Sequence, residues 1–205
     1  MTNPLLSILI PTITSRQKEF DVLTSNIYAE LNKDGFIDEV EIKSICDNRM
    51  MTIGEKRELL YKEANGVYSI QLDDDDQLSR DAVGLILKAI KENPDVDCVT
   101  FEERCQMNGQ LYCANHSLRY DDWEGDGSRL LPDGFHFHRT PFYKDVIKTS
   151  IAQSVPFQHI RFGEDHAWSR DLKPHPKTEV HIPKQLYYYI HEHNQTFEER
   201  YGCGQ

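Results

Sequence analysis

Residues 67–76 read VYSIQLDDDD, an apolar run that ends in four consecutive aspartates. The run begins after Gly66, which ends the preceding helical pattern, and it predicts a buried strand over residues 67–72. Adjacent carboxylates repel one another, so four of them at the end of a strand need compensating partners. In open α/β folds the carboxyl ends of parallel strands face the crevice in which ligands bind. The stretch therefore predicts a strand and makes its carboxyl end a candidate binding site.

The residues around this stretch alternate between strand and helix patterns. The pattern predicts strands over residues 5–10, 40–46 and 96–101, and helices over residues 16–32, 53–64 and 80–92. Ser15 is the expected cap of the first helix, and Thr52 with Glu55 has the spacing of a capping box before the second. This alternation is typical of βαβ crossovers and a parallel sheet, so the predicted fold class is α/β.

The second half of the chain has a different pattern, which predicts a smaller region of mixed structure. The expected elements are a hairpin turn at Asn108-Gly109, a loop over residues 121–129, a strand over 135–138, a helix from Thr140-Pro141 through residue 149, a helix over 164–172 and a strand over 185–190. We find no linker long enough to separate two domains. A single domain over residues 1–205 is therefore expected, with two halves at about 1–103 and 104–205.

Composition and charge narrow the function classes. The 205 residues include 23 basic and 34 acidic side chains, a formal net charge of -11, which disfavours a general nucleic-acid binder. No apolar run is long enough for a transmembrane helix, and the N-terminal residues lack a signal-peptide pattern. The 5 cysteines are odd in number and contain no CxxC pair, which argues against a disulfide framework or a four-cysteine zinc site. A soluble, cytoplasmic protein is expected.

The aspartate run has two open interpretations. Asp73 and Asp75, two positions apart, can hold Mg²⁺ or Mn²⁺, because Mg²⁺-type sites use one or two carboxylates and take substrate phosphate oxygens as further ligands. A solvated acidic loop that caps the next helix would carry the same residues. Lys56 and Arg57 are among the cations nearest in sequence, and cations beside such a site can neutralise a diphosphate.

Two further groups are candidates for chemistry. Glu164 and Asp165 form a second acidic pair, which fits either a general base or simple charge complementarity at a helix N-terminus. His191 and His193 share one face of a strand, so both can reach one ion. Zinc is the weaker alternative for this pair, since no third ligand has a convincing spacing, and histidines hydrogen-bonded at a strand end are the plainest one.

Taken together, several segments carry a more specific pattern. They are LLSILIPTITSR at residues 5–16, CDN at 46–48, IGEKR at 53–57, ANGVYSIQLDDDD at 64–76, FGEDHAWSR at 162–170 and the tyrosine-rich strand that ends in His191 or His193. In this order they resemble a glycosyltransferase of the GT-A fold, most like glycosyltransferase family 2. The resemblance covers about residues 5–196.

The resemblance implies a fold and an activity. The fold would be a mostly parallel, Rossmann-like GT-A sheet flanked by helices, with residues 1–103 binding the nucleotide sugar and residues 104–205 forming the acceptor side. The activity would be an inverting transfer of a sugar from a nucleotide donor, usually a UDP-sugar, with Mn²⁺ or Mg²⁺. The acceptor would be a glycan, a lipid-linked sugar, a protein or a small molecule, and the net charge disfavours a nucleic acid.

The resemblance also implies roles for individual residues. Asp73 and Asp75 would form the DxD pair that binds ribose and the metal-diphosphate, with Asp74 beside them, and His191 or His193 would be a late metal ligand. On the donor side, Pro11, Thr12 and Asp47 would line the base pocket and Lys56 or Arg57 would contact the nucleotide or phosphates. Asp165 would be the catalytic base, Glu164 would position it, and Trp123 and Arg170 would face the acceptor or phosphates.

Two other functions share parts of this pattern. A nucleotidyltransferase has a similar α/β layout and carboxylate-held Mg²⁺, but residues 11–16 lack the glycine expected of a triphosphate loop. A non-catalytic module that binds a sugar nucleotide or a metal would bind without turnover.

Overall fold

The computed structural model of the protein describes residues 3–191. Within that range nine strands hydrogen-bond into one sheet: β1 (Leu6–Ile13), β2 (Val40–Asp47), β3 (Tyr68–Gln71), β4 (Gln77–Leu78), β5 (Cys98–Met107), β6 (Gln110–His116), β7 (Phe137–Arg139), β8 (Val146–Lys148) and β9 (Glu179–His191). The helices of the same range are α1 (Gln17–Asp34), α2 (Ile53–Glu63), α3 (Ala82–Glu92), α4 (Thr149–Ser154) and α5 (Glu164–Leu172).

The sheet combines a parallel half with a mixed half. Its strand order is β2-β1-β3-β8-β5-β6-β7, and β1 pairs in parallel with both β2 and β3. The short β8 is antiparallel to β3 and β5, β5 and β6 form an antiparallel hairpin, and β9 runs parallel along β5. The α/β prediction is confirmed, because the first three βαβ-type strands are parallel and helices separate them in the chain.

Alternating side chains of β1 divide the core between the two faces of the sheet. Ile8 and Ile10 pack with buried residues of α1 and α3, whereas Leu9 packs on the opposite face with residues of α2, α4 and α5. On that second face Trp168 is fully buried and its ring stacks on Phe157 with 4.7 Å between the centroids. Helices therefore cover both faces, and the carboxyl ends of the parallel strands stay open.

Several local predictions are confirmed. Thr52 and Glu55 form the capping box that starts α2. The hairpin turn joins β5 to β6, with Asn108 at φ 53° and Gly109 at φ 76°, as a tight two-residue turn with both central residues left-handed requires. Helix α5 has the predicted bounds, and β9 includes the predicted last strand but begins earlier, at Glu179.

Two predictions are wrong. Ser15 does not cap α1, because the chain turns in a short 3-10 segment over Thr14–Arg16 and the helix begins at Gln17 without a side-chain cap. Thr140-Pro141 does not start a helix. The following residues lead into β8, whose Val146 and Ile147 are fully buried between β3 and β5.

The turn before β8 is held by polar contacts that a helix would break. The Asp145 carboxylate accepts a hydrogen bond from the Phe142 backbone N–H at 3.1 Å and contacts His116 at 3.0 Å. The Thr140 hydroxyl contacts the Ser169 hydroxyl at 2.6 Å instead of capping a helix. Among the described residues no helix is long and apolar enough to cross a membrane.

Candidate functional site

A cavity of about 540 Å³ opens at the carboxyl ends of β1 and β3 and extends over β5, β6 and β7. This volume lies within the range of about 300–1,000 Å³ that is usual for small-molecule sites. Residues of β1, α2 and the aspartate run line one end, which we call the β1 end. Residues of β5, β6 and β7 line the opposite end, which we call the β7 end, and residues 161–165 form a further wall.

Arg57 joins the two acidic motifs. Its guanidinium, 3% exposed, donates to Asp73 Oδ1 at 2.8 Å through Nη2 and to Glu164 Oε1 at 3.2 Å through Nε. The guanidinium also lies 3.5 Å from the centroid of the Tyr143 ring, and the Tyr143 hydroxyl donates to Asp73 Oδ2 at 2.7 Å. Carboxylates 91 positions apart in the sequence, Asp73 and Glu164, are thus held by one cation in one cavity.

The charges around Arg57 set the ionisation of its partners. Burial alone would raise the pKa of Asp73, but the charges of Arg57 and Lys144 outweigh it, and the pKa is lowered. For Glu164, burial outweighs the charge of Arg57, and the pKa is raised. Burial opposes the charge of Arg57 itself, yet Asp73 and Glu164 raise its pKa well above the usual value. Asp73 is therefore held as a carboxylate beneath the cavity.

The middle aspartates contact a residue of the turn after β1. The Thr12 hydroxyl donates to Asp74 Oδ2 at 2.6 Å, and Arg16 Nη1 donates to Asp74 Oδ1 at 2.8 Å. The same Arg16 nitrogen lies 3.1 Å from Asp75 Oδ2. Asp74 is 4% exposed, whereas the Asp75 side chain is 26% exposed, so Asp75 is the more accessible of the two.

Asp76 belongs to a buried network instead of the cavity surface. Its carboxylate accepts hydrogen bonds from the Tyr187 hydroxyl at 2.7 Å and the Ile190 backbone N–H at 3.0 Å, and lies 3.6 Å from Lys144 Nζ. Burial raises the pKa of Asp76 to about 8, and the charges of Asp73 and Asp75 act in the same direction. Lys144 also contacts Glu103 at 2.7 Å, which links this network to the floor of the cavity.

His116 completes the network behind Glu103. It is fully buried, with Nε2 3.3 Å from Glu103 and Nδ1 3.0 Å from Asp145. Burial would lower the pKa of His116, but Asp145 and Glu103 raise it to about 9. Burial would raise the pKa of the Glu103 carboxylate, but Lys144 and His116 lower it to about 2. At the floor of the cavity, Glu103 is therefore paired with both Lys144 and His116.

At the β1 end, Asp47 acts on the cavity through a lysine. Lys56 forms an ion pair with Asp47 and donates a hydrogen bond to the Thr12 carbonyl at 2.6 Å. Burial raises and Lys56 lowers the pKa of Asp47, and the net effect is a lowered value. Lys56, Thr12 and Pro11 line the cavity, whereas Asp47 is not among the lining residues.

Helix α2 packs very closely against the segment before α5. A Cβ atom on Gly54 would lie 1.9 Å from the Gln158 carbonyl oxygen, so only glycine fits there without a shift of the backbone. The Gly54 backbone N–H also donates to the Ile160 carbonyl at 3.4 Å. This contact fixes α2, which carries Lys56 and Arg57, against the wall that ends in Glu164 and Asp165.

Glu164 and Asp165 begin α5. Gly163, at φ 79°, precedes the helix, and the negative charges of Glu164 and Asp165 lie in its first turn, where the helix dipole favours them. Glu164 is buried against Arg57, whereas Asp165 is half-buried and lines the cavity. Asp165 is therefore the member of the pair that is accessible from the cavity.

The remaining predicted residues divide into two groups. Trp123 is half-buried, lines the cavity and donates from Nε1 to the Ser169 hydroxyl at 3.1 Å. Arg170 is exposed on α5 and is not among the residues that line the cavity. His191 ends β9, with Nδ1 3.3 Å from the hydroxyl of Tyr189, a cavity-lining residue. His193 lies outside the described residues.

The donor set for a divalent ion is small. Among residues 3–191, no three His, Cys, Asp or Glu side chains are grouped to hold a metal. Both oxygens of Asp73 accept hydrogen bonds from Arg57 and Tyr143, which leaves Asp75 as the best-placed carboxylate. One carboxylate with water and phosphate oxygens suits Mg²⁺-type coordination. The residues fit an ion that binds together with a diphosphate.

Sequence reasoning missed four residues that shape the site: Arg16, Glu103, Arg139 and Lys144. Arg16 follows the first strand, so its place in that loop was a usable signal. Lys144 lies in the segment for which a helix was predicted, and it reaches Glu103 across 41 positions of sequence. No local pattern marks such a partner.

No family model matches the chain, and no curated protein does. Solved structures of S. aureus TarS are similar: residues 1–349 (14% identity, 90% of this chain, 60% of that chain, TM-score 0.61), the same residues with UDP-GlcNAc (13%, 98%, 61%, 0.62) and with UDP (14%, 90%, 60%, 0.60). The chain spans about 60% of the length of TarS 1–349. At this identity the likeness shows the fold, and the fold is the expected GT-A type.

Proposed function

We propose that the protein is an inverting glycosyltransferase of family 2 that moves a sugar from a UDP-sugar to an acceptor hydroxyl. The observation that carries the proposal is the guanidinium of Arg57, which joins Asp73 to Glu164 so that both acidic motifs meet in one cavity. The TarS structures with UDP-GlcNAc and with UDP support a UDP-sugar as the donor. Residues 1–103 bind this donor, and residues 104–205 form the acceptor side.

The donor binds at the β1 end. Pro11 and Thr12 contact the base, and Lys56 is held toward the nucleotide by Asp47 and the Thr12 carbonyl. Asp73, kept ionised by Arg57, accepts hydrogen bonds from the ribose hydroxyls. Arg16 contacts both Asp74 and Asp75 and approaches the diphosphate from the turn after β1.

A divalent ion, Mn²⁺ or Mg²⁺, would be held by Asp75 and offset the negative charge of the diphosphate leaving group. His191 is a candidate for a further ligand, since it ends β9 beside Tyr189 of the cavity. The small number of protein donors predicts weak binding of the ion alone and tighter binding with UDP.

The reaction takes place between the two acidic motifs. The acceptor oxygen attacks the anomeric carbon of the donor while the bond from that carbon to the diphosphate oxygen breaks. The proton of the acceptor hydroxyl passes to Asp165, which lines the cavity. Glu164 does not take this proton; it is held by Arg57 and fixes the first turn of α5, and thereby the position of Asp165.

The first test is thermal unfolding with a panel of nucleoside diphosphates, nucleoside triphosphates and nucleotide sugars, each with and without Mn²⁺. A ligand at one hundred times its Kd should stabilise the protein by about 2.7 kcal/mol. We expect UDP and UDP-sugars to give the largest shift, and Mn²⁺ to enlarge it. Asp75→Asn should lose the part of the shift that depends on Mn²⁺.

The other outcomes identify the alternatives. A shift with triphosphates alone would indicate a nucleotidyltransferase. A shift with UDP-sugars, but no UDP release during long incubation with a broad set of acceptors, would indicate a binding module. No shift with any diphosphate would contradict the proposal.

A further inference from the structure

Arg139 lies at the end of β7 and lines the cavity. Its guanidinium carbon lies 4.7 Å from the ring centroid of Trp123 and 4.7 Å from that of Phe137. Its Nη1 donates to the carbonyl oxygens of Glu124 at 2.9 Å and His138 at 2.8 Å. Two aromatic rings and two backbone carbonyls therefore fix the group in place.

The charge of Arg139 is not matched by a carboxylate. Arg16, Lys56, Arg57 and Lys144 each form salt bridges with one or more acidic side chains of the site. Within residues 3–191, Arg139 has no carboxylate oxygen within 4.0 Å, and its Nε and Nη2 make no hydrogen bond. A partly buried charge is costly when it lacks a partner.

The pKa of Arg139 also reflects its burial without a close carboxylate. Burial lowers its pKa, and Glu103 and Asp165 oppose that effect only in part, so the net pKa is lowered. Arg57, buried against two carboxylates, has a raised pKa instead. Arg139 and Asp165 line the same cavity, and two donor nitrogens of Arg139 remain available for an anion.

The position of Arg139 separates it from the donor diphosphate. β7 is five strand steps from β1 in the sheet order, which corresponds to roughly 24 Å at about 4.8 Å per step. In the proposed function, cations of the β1 end contact the nucleotide and its diphosphate. The cavity as a whole has seven basic and seven acidic lining residues, in a chain with 23 basic and 34 acidic residues, so basic groups are concentrated here.

We propose that Arg139 binds an oxyanion of the acceptor, a phosphate or a carboxylate, and thereby presents the acceptor hydroxyl to Asp165. A guanidinium with two available N–H groups suits bidentate contact with either anion. Trp123, which packs on Arg139, forms the wall against which the acceptor lies. The inference rests on the proposed function, because it assigns the acceptor side of the same cavity.

The structure supplies its own reporter for a test. The chain has 2 tryptophans: Trp123, which contacts the Arg139 guanidinium, and Trp168, which is fully buried. We would titrate inorganic phosphate, and separately acetate, into the protein saturated with UDP and Mg²⁺ and follow tryptophan fluorescence. Sodium chloride at matched ionic strength is the solvent control, and Trp123→Phe should lose the signal.

We expect saturable binding of phosphate or acetate by the wild type. Arg139→Met should weaken it at least tenfold, and Arg139→Lys, which keeps the charge but loses the planar fork, severalfold. Arg129→Met is the matched control, since Arg129 is exposed and outside the cavity lining, and it should bind like the wild type. Thermal unfolding of the same samples verifies that each variant is folded, whether or not UDP binds; if Arg139→Met does not fold, the decision rests on Arg139→Lys.

Equal anion binding by the wild type and the Arg139 variants would overturn the inference. Tighter binding of UDP-glucuronate than of UDP-glucose that depends on Arg139 would also overturn it, because the anion would then belong to the donor sugar. Failure of UDP to bind the wild type is a separate result: it contradicts the proposed function, while the difference in phosphate binding between the wild type and Arg139→Met still reports on Arg139.

Discussion

The two ends of the cavity differ in the partners of their basic side chains. At the β1 end three cations have acidic partners: Lys56 has Asp47, Arg16 has Asp74 and Asp75, and Arg57 has Asp73 and Glu164. At the β7 end Arg139 is held by rings and carbonyls, and within residues 3–191 it has no carboxylate partner.

The difference indicates which part of the site is complete before a substrate arrives. These ion pairs fix the positions of the groups that meet the nucleotide in the proposed function, at a desolvation cost that the pairs offset. An unmatched guanidinium is instead a position that gains from an incoming anion. We therefore regard the β1 end as preformed and the β7 end as completed by the acceptor.

The largest expected effect comes from the residue between the two ends. Asp165→Asn should lower the rate of sugar transfer by about 10²–10⁴-fold, since it removes the group that takes the acceptor proton. UDP affinity, measured by calorimetry, should stay within about twofold of the wild type, because the proposed function places Asp165 beside the acceptor and not beside the nucleotide. Transfer at the wild-type rate would exclude Asp165 as the base.

Replacing each of the two arginines tests the comparison directly. Arg57→Met should lower the free energy of unfolding by about 3–5 kcal/mol, because Asp73 and Glu164 are left without their cation. Arg139→Met should cost clearly less, because no described carboxylate loses a partner. Urea unfolding of both variants at pH 7 measures the difference. Equal losses would contradict the contrast drawn between the two ends.

The buried His116 makes stability depend on pH. Its pKa is about 9 in the folded protein, above the ordinary value of about 6.5, so the imidazolium stabilises the fold below about pH 6.5 and this contribution is lost as the pH rises through 9. The shift corresponds to a free energy on the order of 3 kcal/mol.

Urea unfolding between pH 6 and pH 9 should show a steeper decline in stability for the wild type than for His116→Phe. Asp76, whose pKa is raised to about 8, adds a decline of the same sign to both proteins. Parallel curves for the two proteins would refute the role of His116.

The smallest expected effect concerns the contact that positions the wall before α5. Gly54→Ala places a Cβ atom 1.9 Å from the Gln158 carbonyl oxygen, so the backbone must shift. We expect a loss of about 1–3 kcal/mol in unfolding free energy, together with weaker binding of UDP. Gly109→Ala serves as a comparison, because no atom lies within 4 Å of its added Cβ and any cost there comes from the left-handed backbone alone. Unchanged UDP affinity in Gly54→Ala would show that this contact does not position the site.

Features that depend on local patterns could be predicted from the sequence, whereas features that depend on tertiary contacts could not. The alternation of residues 5–101 identified the parallel strands, and the capping box at Thr52 identified the start of α2, because these are local patterns. The aspartate run at residues 73–76 and the Glu164-Asp165 pair marked the site. Their connection through Arg57, 107 positions before Glu164, is a tertiary contact that no local pattern encodes.

The mixed half was harder because its short elements depend on distant partners. Residues 140–148 have the local pattern of a helix start. Val146 and Ile147 nevertheless form β8, because this strand pairs with β3 on one side and with β5 on the other. His116 and Asp145 are separated by 29 residues and meet only in the folded chain. Arg139 could be identified as a candidate only from the structure, which shows that Arg57 has carboxylate partners whereas Arg139 contacts rings and carbonyls.

A crystal structure of the protein with UDP and Mn²⁺ tests the central claim most directly, since the anomalous signal of manganese locates the ion independently of the nucleotide. We predict the uracil beside Thr12 and Lys56, the ribose beside Asp73, and the manganese between Asp75 and the diphosphate oxygens, with Arg139 not contacting the nucleotide. UDP bound outside this cavity, or a diphosphate held by Arg139 at the β7 end, would contradict the account.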